Sequence, residues 1–218
     1  RQIENAHTLF NLINTIILFP FGNLLVKAAE KLVPGEDKKV QETGLKYLDS
    51  RILETPSIAL GQVIKEVYRM AKLVEKNLEA SSLVFINKDN KLIQEIYSNE
   101  KIINVLETGI IEYLVELSNE PLTKQQHTQV NALINAINDI ERVGDHAENI
   151  TDLAQEAIKS ELQFSDEAID EFNNIFNKVM KAFRMAVESF NEIDFEKARE
   201  VVKLEEEVDK LEQRYRDN

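Results

Sequence analysis

The chain has 218 residues, with 26 Lys and Arg against 39 Asp and Glu for a formal net charge of −13, and it contains neither cysteine nor tryptophan. Without cysteine there is no disulfide framework, thiolate zinc site, iron–sulfur cluster or Cys nucleophile, so any metal must bind through oxygen or nitrogen. The acidic balance argues against nucleic acid as a partner, because that affinity comes mainly from Lys and Arg displacing counterions from phosphates.

From Asn5 to Val26 no residue is charged. As a helix rising about 1.5 Å per residue, this run reaches the ~30 Å hydrocarbon thickness of a bilayer. Asn11, Asn14, Thr15, Asn23 and the Pro20-Phe21-Gly22 break work against a span. A basic start and a small-residue cleavage site are both missing, so the run is not a signal peptide. Residues 1–34 carry a net +1 and the rest of the chain −14. Lys27, Lys31, Lys38, Lys39 and Lys46 follow the apolar run, which by the positive-inside tendency places the acidic body in the cytoplasm. A membrane segment and a buried core helix both fit this stretch.

Six Gly and four Pro are few for this length, so turns are few and elements long, which predicts an all-α protein. Residues 35–54 read as a polar linker after Pro34-Gly35. Thr55-Pro56 then opens a helix with Leu60, Val63, Ile64, Val67, Met70, Ala71, Val74 and Leu78 on one face, the spacing of an amphipathic helix. A second helix runs from about Asn90 to Leu117, ended by Asn119-Glu120-Pro121, and a third from Thr123 to about Ser160. Ser165 and Asp166 offer caps for a fourth, whose buried stripe is Phe172, Ile175, Phe176, Val179, Phe183, Val187 and Phe190. Asp194 caps a fifth that reaches the end of the chain.

An internal repeat emerges at an offset of 105 residues. Ile64 meets Ile169, Met70 Ile175, Val74 Val179, Leu78 Phe183 and Phe85 Phe190. The register carries into the next helix, pairing Ile96 with Val201, Glu100 with Glu205, Ile103 with Val208, Leu106 with Leu211 and Glu107 with Glu212. This predicts a three-helix unit over 55–160 and a second, truncated to two helices, over 161–218. The uncovered apolar face of the second unit then needs burial by the N-terminal segment, a partner chain or the first unit.

On the third helix, Val130, Ile134 and Ile137 share a sector that Glu141, Asp145, Glu148 and Asp152 continue. Carboxylates one turn apart, as in Glu141-Arg142-Val143-Gly144-Asp145, converge on one cation, and Gly144 permits close approach of a backbone or an ion. An all-oxygen set suits hard cations. The same pattern fits a solvated acidic face with Arg142 paired locally. Glu205 and Asp209 repeat the spacing on the fifth helix, and Glu100 with Asn104 stand at the equivalent positions of the second. His146 beside Asp145 is placed to orient it or add a ligand. No Gly-rich phosphate loop, nucleophile elbow or Ser/His/Asp arrangement occurs, so no catalytic residue is expected.

The string ERVGDHAENI, Glu141 to Ile150, resembles the signature of PhoU-type domains, whose third helices carry Glu-Arg-Ile-Gly-Asp-His-Ala and then Asn-Ile. The resemblance implies tandem three-helix repeats with paired Glu/Asp-x-x-x-Asp motifs that hold a divalent or trivalent metal ion, Fe, Mn, Mg or Zn. Carried over by position, Glu141 and Asp145 match one ligand motif, Glu205 and Asp209 another, and Glu100 the first position of a third. Asn104 departs from that pattern, being neutral where it has Asp. Arg142, His146 and Glu148 are then neighbours that support the ligands.

NAHTLFNLINTIILFPF, with TPSIALGQVIKEVYRMA at the start of the first long helix, is similar to bacterial sodium/phosphate cotransporter-family proteins that end in a PhoU-like domain. That similarity implies that residues 1–34 are the remnant of a last membrane helix, with residues 35–218 on the cytoplasmic side of the cell membrane. It also implies a transport domain of the same polypeptide as partner, with a homodimer as a further option. The function expected is a metal-binding regulatory domain of a sodium-dependent phosphate transporter, without enzymatic activity. The alternative is a stand-alone PhoU-type interaction protein that regulates phosphate uptake or signalling.

Overall fold

The computed structural model describes residues 44–216; the apolar run lies outside them. The described residues contain a short 3-10 turn at Ser50–Ile52 and five helices: α1, Pro56–Asn87; α2, Ile93–Leu117; α3, Lys124–Lys159; α4, Asp166–Glu192; and α5, Phe195–Arg216. The all-α fold and the order of the long helices follow the sequence expectation.

Local chemistry sets the helix ends. Pro56 opens α1, where its missing N–H removes no helical bond. Thr123 and Gln126 form a capping box at the start of α3, each side chain receiving a hydrogen bond from the other's backbone N–H. The Ser165 hydroxyl accepts from the Ala168 amide at 3.1 Å, and Asp194 Oδ1 accepts from the amides of Glu196 at 2.9 Å and Lys197 at 3.1 Å.

The core lies between α1, α2 and α3. It is built on Val63, Val67, Met70 and Val74 of α1, Ile103, Leu106 and Ile110 of α2, and Val130, Leu133 and Ile137 of α3. Helix α4 packs on α1, and α5 packs on α4. Arg184 of α4 forms ion pairs with Glu75 and Glu79 of α1. A ring stack adds to this join, with Phe85 of α1 4.6 Å from Phe172 of α4 and 4.9 Å from Phe164.

The first and fourth helices end alike. Helix α1 ends at Asn87 with Lys88 in the left-handed region at φ 54°, and α4 ends at Glu192 with Ile193 in the same region at φ 56°. Lys88 and Ile193 are 105 residues apart, the offset of the repeat. The two units differ in burial: the expected stripe of α4 is half-buried except at Val187, and only Met180, Val187 and Ser189 of α4 are buried. No third helix closes the second unit among the described residues.

Within the segment read as a linker, residues 44–53 fold back onto the bundle. The fully buried Glu66 carboxylate accepts from the amides of Lys46 at 2.9 Å and Tyr47 at 2.6 Å and from Arg69 Nε at 2.5 Å. Arg69 Nη2 also donates to the Gly44 carbonyl at 2.5 Å, and the Tyr113 hydroxyl donates to the Asp49 carbonyl at 3.1 Å.

The expected placement in a cell membrane is corrected. No helix among the described residues is long and apolar enough to cross a bilayer. Each is amphipathic, as α1 shows with Lys65, Glu66, Arg69, Lys72, Glu75, Lys76 and Glu79 along its length. The expected membrane remnant, residues 1–34, lies outside the described residues.

Candidate metal centre

Helices α2 and α3 pack with Gly144 at their contact. A Cβ on Gly144 would lie 3.2 Å from Glu100 Oε2, 3.5 Å from Val74 Cγ2 and 3.6 Å from Ile103 Cδ1. The missing side chain therefore makes room for the Glu100 carboxylate between α2 and the backbone of α3. The close approach at Gly144 is made by side chains, Glu100 foremost, where the sequence reading expected a backbone or an ion.

Glu100 is 4% exposed, and neither of its carboxylate oxygens has a hydrogen-bond partner. A carboxylate in that condition is strongly disfavoured unless it is protonated or meets a cation. Asp145 and Glu148 on α3 face it: one carboxylate oxygen from each of the three residues lies within 4.8 Å of the others. Burial, followed by the charges of Asp145, Glu148 and Glu141, pushes the Glu100 carboxyl up to about 7. Glu141 is also raised, by burial first and then by Asp145 and Glu107.

This donor set fits a hard cation. It offers only carboxylate oxygens, one of them buried and unpartnered, while Asp145 is exposed and Glu148 half-buried. An ion there would have protein ligands on its inner side and water on its outer side.

The expected ligands separate into those the fold brings together and those it does not. Glu100 and Asp145 join, and Glu148, read from the sequence as a supporting neighbour, stands with them as a potential ligand. Glu141 lies one turn before Asp145 and outside the group of three. Asn104 is exposed on α2. His146 is exposed, and Arg142 pairs at 3.8 Å with Asp139, both of them exposed. Glu205 and Asp209 are exposed on α5 and form no such cluster among the described residues.

Asp152, the last acid of the stripe, accepts a hydrogen bond from the Tyr97 hydroxyl, which accepts in turn from Gln155 Nε2 at 2.8 Å. That bond to Asp152, ahead of burial, pushes the Tyr97 phenol up to about 12. Glu107 of α2 lies outside the group of three and adds negative charge near Glu141. It stands seven residues after Glu100, two helical turns along α2.

The PhoU domain profile matches residues 67–154 and 172–218. The chain is 22% identical over 212 residues to a Salmonella typhimurium protein named "Putative inorganic phosphate export protein YjbB", a match covering 96% of this chain and 38% of that one. An Escherichia coli K12 protein of the same name matches at 22% over 210 residues, again covering 96% and 38%. A Clostridium acetobutylicum "Phosphate-specific transport system accessory protein PhoU homolog" is 25% identical over 174 residues, 80% of this chain and 72% of that protein. The chain thus spans well under half the length of the export proteins and most of the accessory protein. No solved structure matches.

Proposed function

Because the chain belongs to the PhoU family, we propose that it is a metal-binding interaction protein that regulates phosphate transport, acting through protein contacts and not through catalysis. The observation that carries this reading is the buried, unpartnered carboxylate of Glu100 set against Asp145 and Glu148 on a PhoU domain. Those three residues would hold a hard divalent or trivalent ion, with Glu141 adding negative charge one turn away. The ion would neutralise the acidic contact between α2 and α3 and so organise the surface a partner meets. The phosphate role is inferred from relatives named for phosphate export and phosphate-specific transport.

A second reading is favoured by the match of 96% of the chain to 38% of the export proteins. In it, the same domain serves as the regulatory part of a longer phosphate-moving polypeptide, and its partner is the transport domain of that polypeptide. A sodium requirement belongs to this second reading.

Elemental analysis after equilibration with Mn, beside an Asp145→Asn/Glu148→Gln variant, tests the metal. The expected result is bound ion in the parent chain, its loss in the variant, and a metal-dependent rise in melting temperature confined to the parent. Equal metal content in both would remove the site. In cells, phosphate uptake that is unchanged by deleting the protein would remove the phosphate role.

A further inference from the structure

Helices α2 and α3 run antiparallel, so their facing side chains meet in successive rungs. Ile103 and Glu100 meet Gly144, Glu100 faces Asp145 and Glu148, and Tyr97 reaches Asp152 and Gln155. Toward the other end, Glu107 adds its charge to Glu141. Acid faces acid until the rung of Asp152, where α2 presents a phenol in place of a carboxylate.

The direction of Asp152 does not keep it out of the group of three. At about 100° per residue it falls between Asp145 and Glu148 around α3, and it stands one turn beyond Glu148, a spacing that puts Cβ atoms about 5–6 Å apart. Asp152 is exposed, so packing does not immobilise it. What holds it is the Tyr97 hydroxyl, which donates to Asp152 Oδ1. The half-buried Gln155 fixes where that proton points: its Nε2 donates to the Tyr97 oxygen at 2.8 Å, and a hydroxyl has one proton to give. None is left for Glu148, although Glu148 is close enough for its charge to act on the phenol.

We propose that Tyr97 is a positioning residue of the candidate metal centre: its hydroxyl, aligned by Gln155, holds Asp152 out of the donor set and limits the carboxylates that meet an ion to Glu100, Asp145 and Glu148. This deepens the metal reading above and rests on it. The consequence is selectivity. Each further carboxylate raises the negative charge around the ion, and that charge attracts a trivalent cation more strongly than a divalent one. By tying Asp152 with a neutral donor, Tyr97 keeps the site weaker toward trivalent ions than the acids of α3 alone would make it.

The test uses the intact chain with terbium as a trivalent probe and manganese as a divalent one, and compares Tyr97→Phe, Asp152→Asn and the two together. Terbium luminescence lifetimes in H2O and D2O, under direct excitation of the ion, report the water left on it, which a loss of stability alone does not change. Tyr97→Phe frees Asp152, so terbium affinity relative to manganese should rise about tenfold over the parent's and the bound ion should carry less water. Asp152→Asn keeps an acceptor for the phenol and should match the parent in both readings. The double variant should return to the parent's ratio and hydration. Tyr97→Phe readings equal to the parent's, or changes that persist in the double variant, would overturn the proposal and leave Tyr97 as a tie between two helices. So would loss of terbium in Asp152→Asn, since Asp152 would then already be a ligand. A parent chain that binds neither ion would overturn the metal reading and this proposal with it, whereas a parent that binds terbium no differently from all three variants overturns this proposal alone.

Discussion

Two buried acids of this bundle have opposite electrostatic settings. Glu75 lies between Lys72 and Arg184: burial opposes its charge, but the hydrogen bonds from those two cations hold its carboxyl below the ordinary value. Its contribution to stability is present above the unfolded value and is lost as pH falls through the lowered one. Glu100 has no cation beside it, and burial with three neighbouring acids raises it to about 7. A raised carboxyl in the folded state means that the folded protein binds the proton more tightly than the unfolded chain. Its contribution is therefore full below about 4.5 and is lost as pH rises through about 7. In chelator, melting temperature should fall between pH 5 and pH 8, and Glu100→Gln should flatten that fall. At pH 8 the variant should be more stable than the parent by about 1–3 kcal/mol, the scale for relieving a buried unsatisfied group. With a bound ion the order should reverse, because the parent alone gains the binding free energy. Thermal scans across pH, with chelator and with Mn, read both effects. A variant less stable than its parent in chelator at pH 8 would show that Glu100 has a partner in solution.

At the scale of the helix, Gly144 sets how closely α3 approaches α2. Two effects compete in Gly144→Ala. Alanine improves intrinsic helix stability by about 1 kcal/mol, while its Cβ would sit 3.2 Å from Glu100 Oε2 and 3.5 Å from Val74 Cγ2. The carboxylate is the softer neighbour and moves first. Stability in chelator should then change by less than about 1 kcal/mol, because the two effects offset, whereas Mn affinity should fall about tenfold as Glu100 leaves its position. That factor corresponds to about 1.4 kcal/mol of binding. Isothermal titration beside thermal unfolding separates the two. Unchanged affinity with a large loss of stability would place the importance of Gly144 in packing alone.

Across the whole described bundle, stability is unevenly distributed. The first unit has a continuous core across α1, α2 and α3, with Met70, Ile103, Leu106, Ile110 and Ile137 fully buried. The second contributes only Met180, Val187 and Leu204 to the buried apolar set, and α5 is largely exposed. Amides in α4 and α5 should exchange through an opening of lower free energy than those in α1 to α3. Chelation should speed exchange around Glu100, Asp145 and Glu148 and leave α5 unaffected. Hydrogen exchange read by mass spectrometry checks both, and uniform protection across the five helices would show one cooperative unit.

Much of this was legible from residues near one another in the chain. Apolar spacing, Pro56, Ser165 and Asp194 located the helices, because helix formation and capping depend on neighbours within about four residues. Lys88 and Ile193, one repeat offset apart, share a left-handed backbone after their helices. The acidic stripe of α3 was readable from helical periodicity, but the partition of its members was not. Glu148 joins Glu100 and Asp145, while Asp152 is held by Tyr97. That choice depends on the azimuth of α3 against α2, which the packing of Gly144 on Glu100 and Val74 decides. Likewise, Glu66 gives no local sign that it will bind the amides of Lys46 and Tyr47 some twenty residues earlier. The sequence by itself determined the elements and the acids available. Only the tertiary structure decided which acids meet, because desolvation and charge repulsion act between side chains through space, and distance along the chain does not set them.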